Sequence, residues 1–189
     1  MKEKGEMTET KKAQPPEFRT NGILTEKGAK VPGKSSIDAL TSRGYGTLED
    51  EVFTLTFYEA LYLANKGMLE VKDAKGNEVD FRNLLHCYET VSENAWVSYL
   101  VYRDLRSRGY VAREGFGDGI DFRVYERGGY GKDTAPYLVL SVQEGKPFGM
   151  EELADALKRC QSQKKELILA VMNRRGEIVY YSVSQLTFK

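Results

Sequence analysis

An α/β fold of the α+β kind is predicted by three observations. Short segments alternate apolar and polar residues, as in Ile120-Asp121-Phe122-Arg123-Val124-Tyr125, which is the pattern of a strand with one face in a core. Other segments repeat apolar residues at helical spacing behind a capping signal, as where Thr56-x-x-Glu59 precedes Ala60, Leu61 and Ala64. The run 167–172 is continuously apolar, as strands covered on both faces are, and 137–142 reads as a buried strand. Together they imply a mobile tail over residues 1–20, a small N-terminal α/β domain over 21–88, and a C-terminal domain over 89–189 with a mixed central sheet flanked by helices.

Each element has its own signal. Residues 1–20 hold Lys, Glu, Thr and Gln with a Pro15-Pro16 pair, a composition too polar to build a core. Between Gly22 and Gly46 the apolar pieces Ile23-Leu24 and Val31 are separated by Gly and Lys, and read as short strands or an extended arm. The helix opened at Thr56 stops at Gly67, and a short strand (68–71), a turn (74–77) and a second short helix (79–88) follow. That helix carries His86, the one histidine, flanked by Leu84, Leu85 and Cys87, and a packed or half-exposed structural role is expected for it. Thr90-x-x-Glu93 repeats the capping spacing and opens a longer helix with Val97, Leu100, Val101 and Leu105 on one stripe and Gly109 at its end. A turn at 116–119 leads into the strand around Phe122, in which Asp121, Arg123 and Tyr125 point away from the core. Loops at 129–136 and 143–149 flank the 137–142 strand. A helix over 151–161 places Leu153, Ala154 and Leu157 inward, and a turn at 173–176 returns the chain as a final strand.

Composition excludes several classes. No apolar run approaches the roughly 18 residues of a membrane span, and residues 1–19 have no apolar centre of the kind a signal peptide needs. Cys87 and Cys160 stand alone, without metal-ligand or disulfide spacing, so no metal and no cofactor is expected and the compartment reads as cytoplasmic. Formal charge is balanced, with 28 basic against 28 acidic residues, so affinity for nucleic acid requires local concentration of charge. Lys158, Arg159, Lys164, Lys165, Arg174 and Arg175 are opposed within their stretch only by Glu166. Arg103, Lys158, Arg159, Lys164 and Arg174 are therefore candidates for RNA contact. Each is equally readable as a solvated or helix-end charge.

Several ordered blocks carry a resemblance. Tyr102-Arg103-Asp104-Leu105-Arg106-x-Arg108-Gly109-Tyr110, Gly119-x-Asp121-Phe122-Arg123-Val124-Tyr125-x-Arg127-Gly128, Tyr137-Leu138-Val139 and Gly176-x-Ile178-Val179-Tyr180-Tyr181 together resemble the archaeal tRNA-splicing endonucleases. A weaker echo, Phe57-x-Glu59-Ala60-Leu61-Tyr62-Leu63-x-x-x-Gly67, extends it into the first half. The resemblance implies a nuclease-like C-terminal domain and a metal-free reaction. In it a 2′-hydroxyl attacks the adjacent phosphate and leaves a cyclic phosphate and a 5′-hydroxyl. It also implies a catalytic tyrosine, histidine and lysine. The tyrosine falls on Tyr125 and the lysine on Lys165. The histidine's place, three residues before the Tyr-Leu-Val block, is occupied by Thr134.

Histidine suits a general acid because its pKa lies near neutrality, and a threonine hydroxyl releases no proton there. The expectation is therefore a non-catalytic structural subunit that joins a catalytic partner in a two-by-two heterotetramer and acts with it on precursor tRNA at bulged helices. The resemblance makes Glu144 and Lys146, in the 143–149 loop, and Tyr180 and Tyr181, on the last strand, candidates for the subunit interface. Two other readings stand beside this one: an active endonuclease whose proton comes from another group, and an RNA-binding assembly protein on the same fold.

Overall fold

The computed structural model describes residues 18–116 and 119–184. The expected tail lies outside the described residues as far as position 17, as do Gly117 and Asp118 of the expected turn. The last residues of that tail belong to the fold: Phe18 packs on the core beneath the Arg43 guanidinium, and Thr20 opens the first strand.

Among the described residues eleven strands form two mixed sheets, and five helices accompany them. The first sheet contains β1 (Thr20–Thr25), β2 (Gly28–Lys30), β3 (Thr47–Glu49), β4 (Val52–Thr56), β5 (Leu69–Lys72) and β6 (Glu78–Val79), in the order β3-β4-β2-β1-β5-β6. Only the β1–β5 pairing is parallel. The stretch read as strands or an arm thus forms strands, and it also holds a helix that its sequence does not announce, α1 (Lys34–Thr41), of which only Leu40 is fully buried. The β3–β4 turn was equally silent. Asp50 and Glu51 both adopt positive φ there, the geometry of a tight two-residue hairpin that Asn-Gly would normally signal.

Helix α2 (Phe57–Asn65) begins where its capping signal places it, with the Glu59 carboxylate accepting from the Thr56 N–H at 3.0 Å. Every residue from Phe57 to Leu63 is buried, because α3 (Phe81–Val91), α4 (Ala95–Ser107) and the first sheet enclose it. At α3 the Asp80 carboxylate caps the Asn83 N–H at 2.8 Å. Asp80→Ala is expected to lower the unfolding free energy by about 1 kcal/mol in a denaturant titration.

The second capping box does not form. Thr90 lies inside α3 and gives its hydroxyl to the Cys87 carbonyl, the chain is extended at Ser92, and α4 starts at Ala95 after Asn94. The expected stripe Val97, Leu100, Val101 and Leu105 is buried, together with Tyr99 and Tyr102. His86 is neither packed nor half-exposed. Its side chain is 77% exposed on the outer face of α3, 3.8 Å from Glu89.

The second sheet has the order β11-β10-β9-β8-β7, built from β7 (Val111–Glu114), β8 (Phe122–Tyr125), β9 (Tyr137–Gln143), β10 (Glu166–Met172) and β11 (Ile178–Val183). Strands β9 and β10 are parallel neighbours joined by α5 (Met150–Ser162), and the rest pair antiparallel. One core runs from the first sheet through α2, α3 and α4 to Phe122, Val124, Val139 and Ala170 of the second. The rings of Tyr58, Tyr62, Tyr102 and Phe122 meet at its centre. A smaller core, with Leu138, Leu140, Ala156, Cys160 and Leu167, lies beneath α5.

A buried ion pair pins the two sheets together. Arg113 on β7 reaches Glu59 on α2 at 3.1 Å and also donates to the carbonyls of Gly44 and Gly46 and to the Thr47 hydroxyl. Glu59 in turn accepts from the Gly46 N–H. Gly46 tolerates no side chain here, since its φ is +66° and a Cβ would fall 2.2 Å from the Phe53 ring. Among the described residues no helix is long and apolar enough to cross a membrane, and no cluster of His, Cys, Asp and Glu could hold a metal ion.

Candidate active site

Alternation on β8 sends Phe122 and Val124 into the core and leaves Arg123 and Tyr125 partly exposed. Asp121, just before the strand, accepts the Ser141 N–H at 2.5 Å and so locks the start of β8 onto β9. After the strand the chain turns at Gly128, whose φ is +76°, and the Gly129 carbonyl receives the N–H groups of Lys132 and Asp133. This Gly-rich turn brings Tyr130 edge-on against Tyr125, with ring centroids 5.1 Å apart.

Tyr125 and Thr134 line one open cavity of about 220 Å³ with Glu126, Gly129, Asp133 and Pro136. Lys165 adjoins it through the backbone. Its ammonium donates to the Ala135 carbonyl at 2.6 Å, its own N–H bonds the Cys160 carbonyl, and the next residue bonds the Pro136 carbonyl. The structure thus gathers all three expected positions at one end of the β8, β9 and β10 strands. One of the three ammonium donors thus ties Lys165 to the segment that carries Thr134. Beside them, Tyr137 donates to Glu126 at 3.0 Å, and this bond chiefly raises the phenol above its ordinary pKa.

Glu126, Tyr130 and Asp133 were not singled out from the sequence, although all lie in the loop that follows β8. Their only signal was position, since nothing in the composition of that loop separates a cavity wall from a connector.

The RNA-contact candidates are scattered. Lys158 pairs with Asp155 at 3.3 Å, Arg159 is half-buried on α5, and exposed Lys164 sits at φ +54° just before Lys165. Arg174 stands at the opposite end of β10, which at about 3.3 Å per residue puts it roughly 20 Å away. The single basic stretch of sequence is therefore two separate clusters. Arg103 is exposed on α4 over the Tyr99 ring.

The interface candidates are tied within the chain, Tyr181 excepted. Glu144 accepts from the Arg174 N–H at 3.3 Å, and Lys146 donates to the Asn94 side chain at 3.3 Å. Tyr180 donates to Asp104 at 2.8 Å, and burial foremost pushes its phenol far above the ordinary value. Tyr181 is exposed beside Val179 on the outer face of β11, an edge strand.

Comparison with known proteins agrees in both halves. Residues 21–85 match the family model described as tRNA intron endonuclease, N-terminal domain, and residues 95–180 match the one described as tRNA intron endonuclease, catalytic C-terminal domain. A tRNA-splicing endonuclease of Methanococcus vannielii is 32% identical over 163 residues, covering 86% of this chain and 92% of that protein. One of Pyrococcus furiosus is 33% identical over 147 residues, covering 78% and 84%. A longer relative from Methanosarcina acetivorans is 31% identical over 81% of this chain, which spans 43% of that protein. With both halves matched and this identity sustained along the chain, the protein belongs to the tRNA intron endonuclease family.

Proposed function

We propose that the chain is a structural subunit of a tRNA-splicing endonuclease. It assembles two-by-two with a catalytic subunit that cuts precursor tRNA at bulge–helix–bulge sites, leaving 2′,3′-cyclic phosphate and 5′-hydroxyl ends. The observation that carries this reading is Thr134 on the wall of the Tyr125 cavity. Cleavage needs a base for the 2′-hydroxyl, an acid for the departing oxygen and a cation for the developing charge. Threonine supplies no proton at neutral pH, so the part of the acid is left without a group at that position. The exposed apolar face of the β11 edge, with Val179 and Tyr181, supports assembly with a partner, because unpaired edges and apolar patches favour docking.

A second reading, an active subunit with a displaced acid, has one observation in its favour, the Asp133 carboxyl on the same cavity wall. Among the described residues Asp133 makes no hydrogen bond to Tyr125 or Lys165. The test is cleavage of a bulge-containing precursor tRNA in chelator by the purified chain alone and by the chain with its catalytic partner. The chain alone is expected to be slower by at least about 10²-fold, the lower bound for loss of a positioned general acid. Equal rates would remove the structural assignment, and loss of that activity in Asp133→Asn would locate the acid.

A further inference from the structure

Helix α4 packs on one face of the second sheet and stops at Gly109, whose φ is +88°. The Gly109 N–H bonds the Arg106 carbonyl and the Tyr110 N–H the Leu105 carbonyl, both at 3.1 Å, which ends the helix and sets Tyr110 beside Leu105. An open pocket of about 260 Å³ is left between this helix end and the sheet, on the face opposite to the one that carries Tyr125. Val124 of β8 and Val139 of β9 are buried beneath it, while Ile168 of β10 and the rings of Tyr110, Tyr137 and Tyr180 line it half-buried. Apolar and aromatic surface is thus open to a ligand in a concave place.

The charged residues of its lining are two arginines, Arg108 and Arg127. Each guanidinium is laid on a tyrosine, Arg108 5.6 Å from the centre of the Tyr180 ring and Arg127 5.5 Å from that of Tyr110. Stacking of this kind holds the planar group while its N–H edges stay free to meet an acceptor. Arg108 gives its Nε–H to Asp104 at 2.7 Å, and Tyr180 donates to the same carboxylate at 2.8 Å, so this side of the rim is fixed and the terminal nitrogens of Arg108 remain. Arg127 makes no ion pair and no side-chain hydrogen bond among the described residues, and its stem runs over Gly109, where a Cβ would lie 3.7 Å from its Nε. The neighbouring acid, Glu126, lines the Tyr125 cavity instead and is held there by the Tyr137 hydroxyl.

We propose that this pocket binds an aromatic carboxylate, with its ring against Ile168 and the three tyrosines and its carboxylate in the fork of Arg127 beside Arg108. A planar guanidinium meets a carboxylate with two parallel hydrogen bonds, and tyrosine faces take a ring offset or edge-on. The space decides the size: an apolar cavity of about 150 Å³ takes benzene, so this pocket holds one ring with a short acid arm. The inference stands apart from RNA cleavage, since the pocket lies across the sheet from Tyr125. Two sources fit this chemistry, a free aromatic acid and the carboxyl-terminal residue of a polypeptide.

The experiment is a titration of the full chain with N-acetylphenylalanine, with its uncharged amide and with a short peptide ending in phenylalanine, followed by backbone amide NMR. Saturable shifts are expected at Tyr110, Val124 and Ile168, with a Kd of about 1 mM or tighter for the acid, the scale for a ligand of this size. The amide is expected to bind about tenfold more weakly, and Arg127→Gln to weaken the acid by about the same factor, as loss of a charged hydrogen bond does. Arg127 is exposed, so the variant keeps the wild-type melting temperature and its loss of binding is not loss of fold. The tighter of acid and peptide identifies the source. Shifts that never saturate, an amide that binds as well as the acid, or undiminished binding in Arg127→Gln overturn the proposal. So does tighter binding of uridine 5′-monophosphate, which would make the pocket a contact for nucleic acid.

Discussion

Arg113→Met lowers the unfolding free energy by about 3–5 kcal/mol in a denaturant titration, because it strands a buried carboxylate. Glu59 is 2% exposed and Arg113 13%, so water cannot replace the lost guanidinium. The same substitution frees the carbonyls of Gly44 and Gly46, which Arg113 serves from across the sheet junction. The pH dependence gives the variant a signature. Burial is the foremost influence on Glu59 and raises its carboxyl above the ordinary value, while Arg113 and the N–H groups of Thr56 and Gly46 pull the other way.

A folded pKa above the unfolded one means that the fold holds the proton more tightly. The contribution of this group is therefore fully present below the ordinary carboxylate value and lost as pH rises through the folded value. Removing Arg113 removes the main opposing pull, so the deficit of the variant against wild type grows as pH rises from about 4 to about 8. A deficit that is flat across this range, or below about 1 kcal/mol, would show that the pair does not join the two halves energetically.

If the chain is the structural subunit proposed above, Tyr125→Phe in it leaves the cleavage rate of the complex within roughly twofold of the unaltered one, since a group outside the chemistry contributes no transition-state stabilisation. If this chain carried out the cut, loss of the tyrosine hydroxyl would cost about 10²–10⁴ in single-turnover rate, the range for a positioned acid or base. Thr134→His assayed in the isolated chain completes the pair. Less than a tenfold gain, roughly, is expected, because a proton donor alone adds little unless the substrate and the other reacting groups are positioned with it. A gain of 10² or more, on the same scale, would mean that this single position separates the chain from an active enzyme.

Much of this was legible locally. Strand β8 follows from period-two alternation, α2 from its capping box and Gly67, and the β10–β11 hairpin from the Asn173-Arg174-Arg175-Gly176 turn, because each depends on neighbours within a few residues. Helix α1, the β3–β4 hairpin and the end of α3 were not legible. Leu40, with the partly buried Ile37, anchors α1 to the core, and α3 runs past Thr90 while the Tyr88 ring stacks on Phe57 from α2, a contact 31 positions away in the chain. Glu59 in an apolar helix called for a distant partner, and no local pattern names Arg113, 54 positions on.

By itself the sequence determined the mixed α/β class and the family, both properties of residue type and spacing. Only the tertiary structure decided that Lys165 is bound to the Ala135 carbonyl, that the basic stretch splits between the two ends of β10, and that Arg113 meets Glu59. The reason is physical: type and period are set along the chain, whereas charge pairing, burial and hydrogen-bond satisfaction depend on groups that folding brings together from far apart.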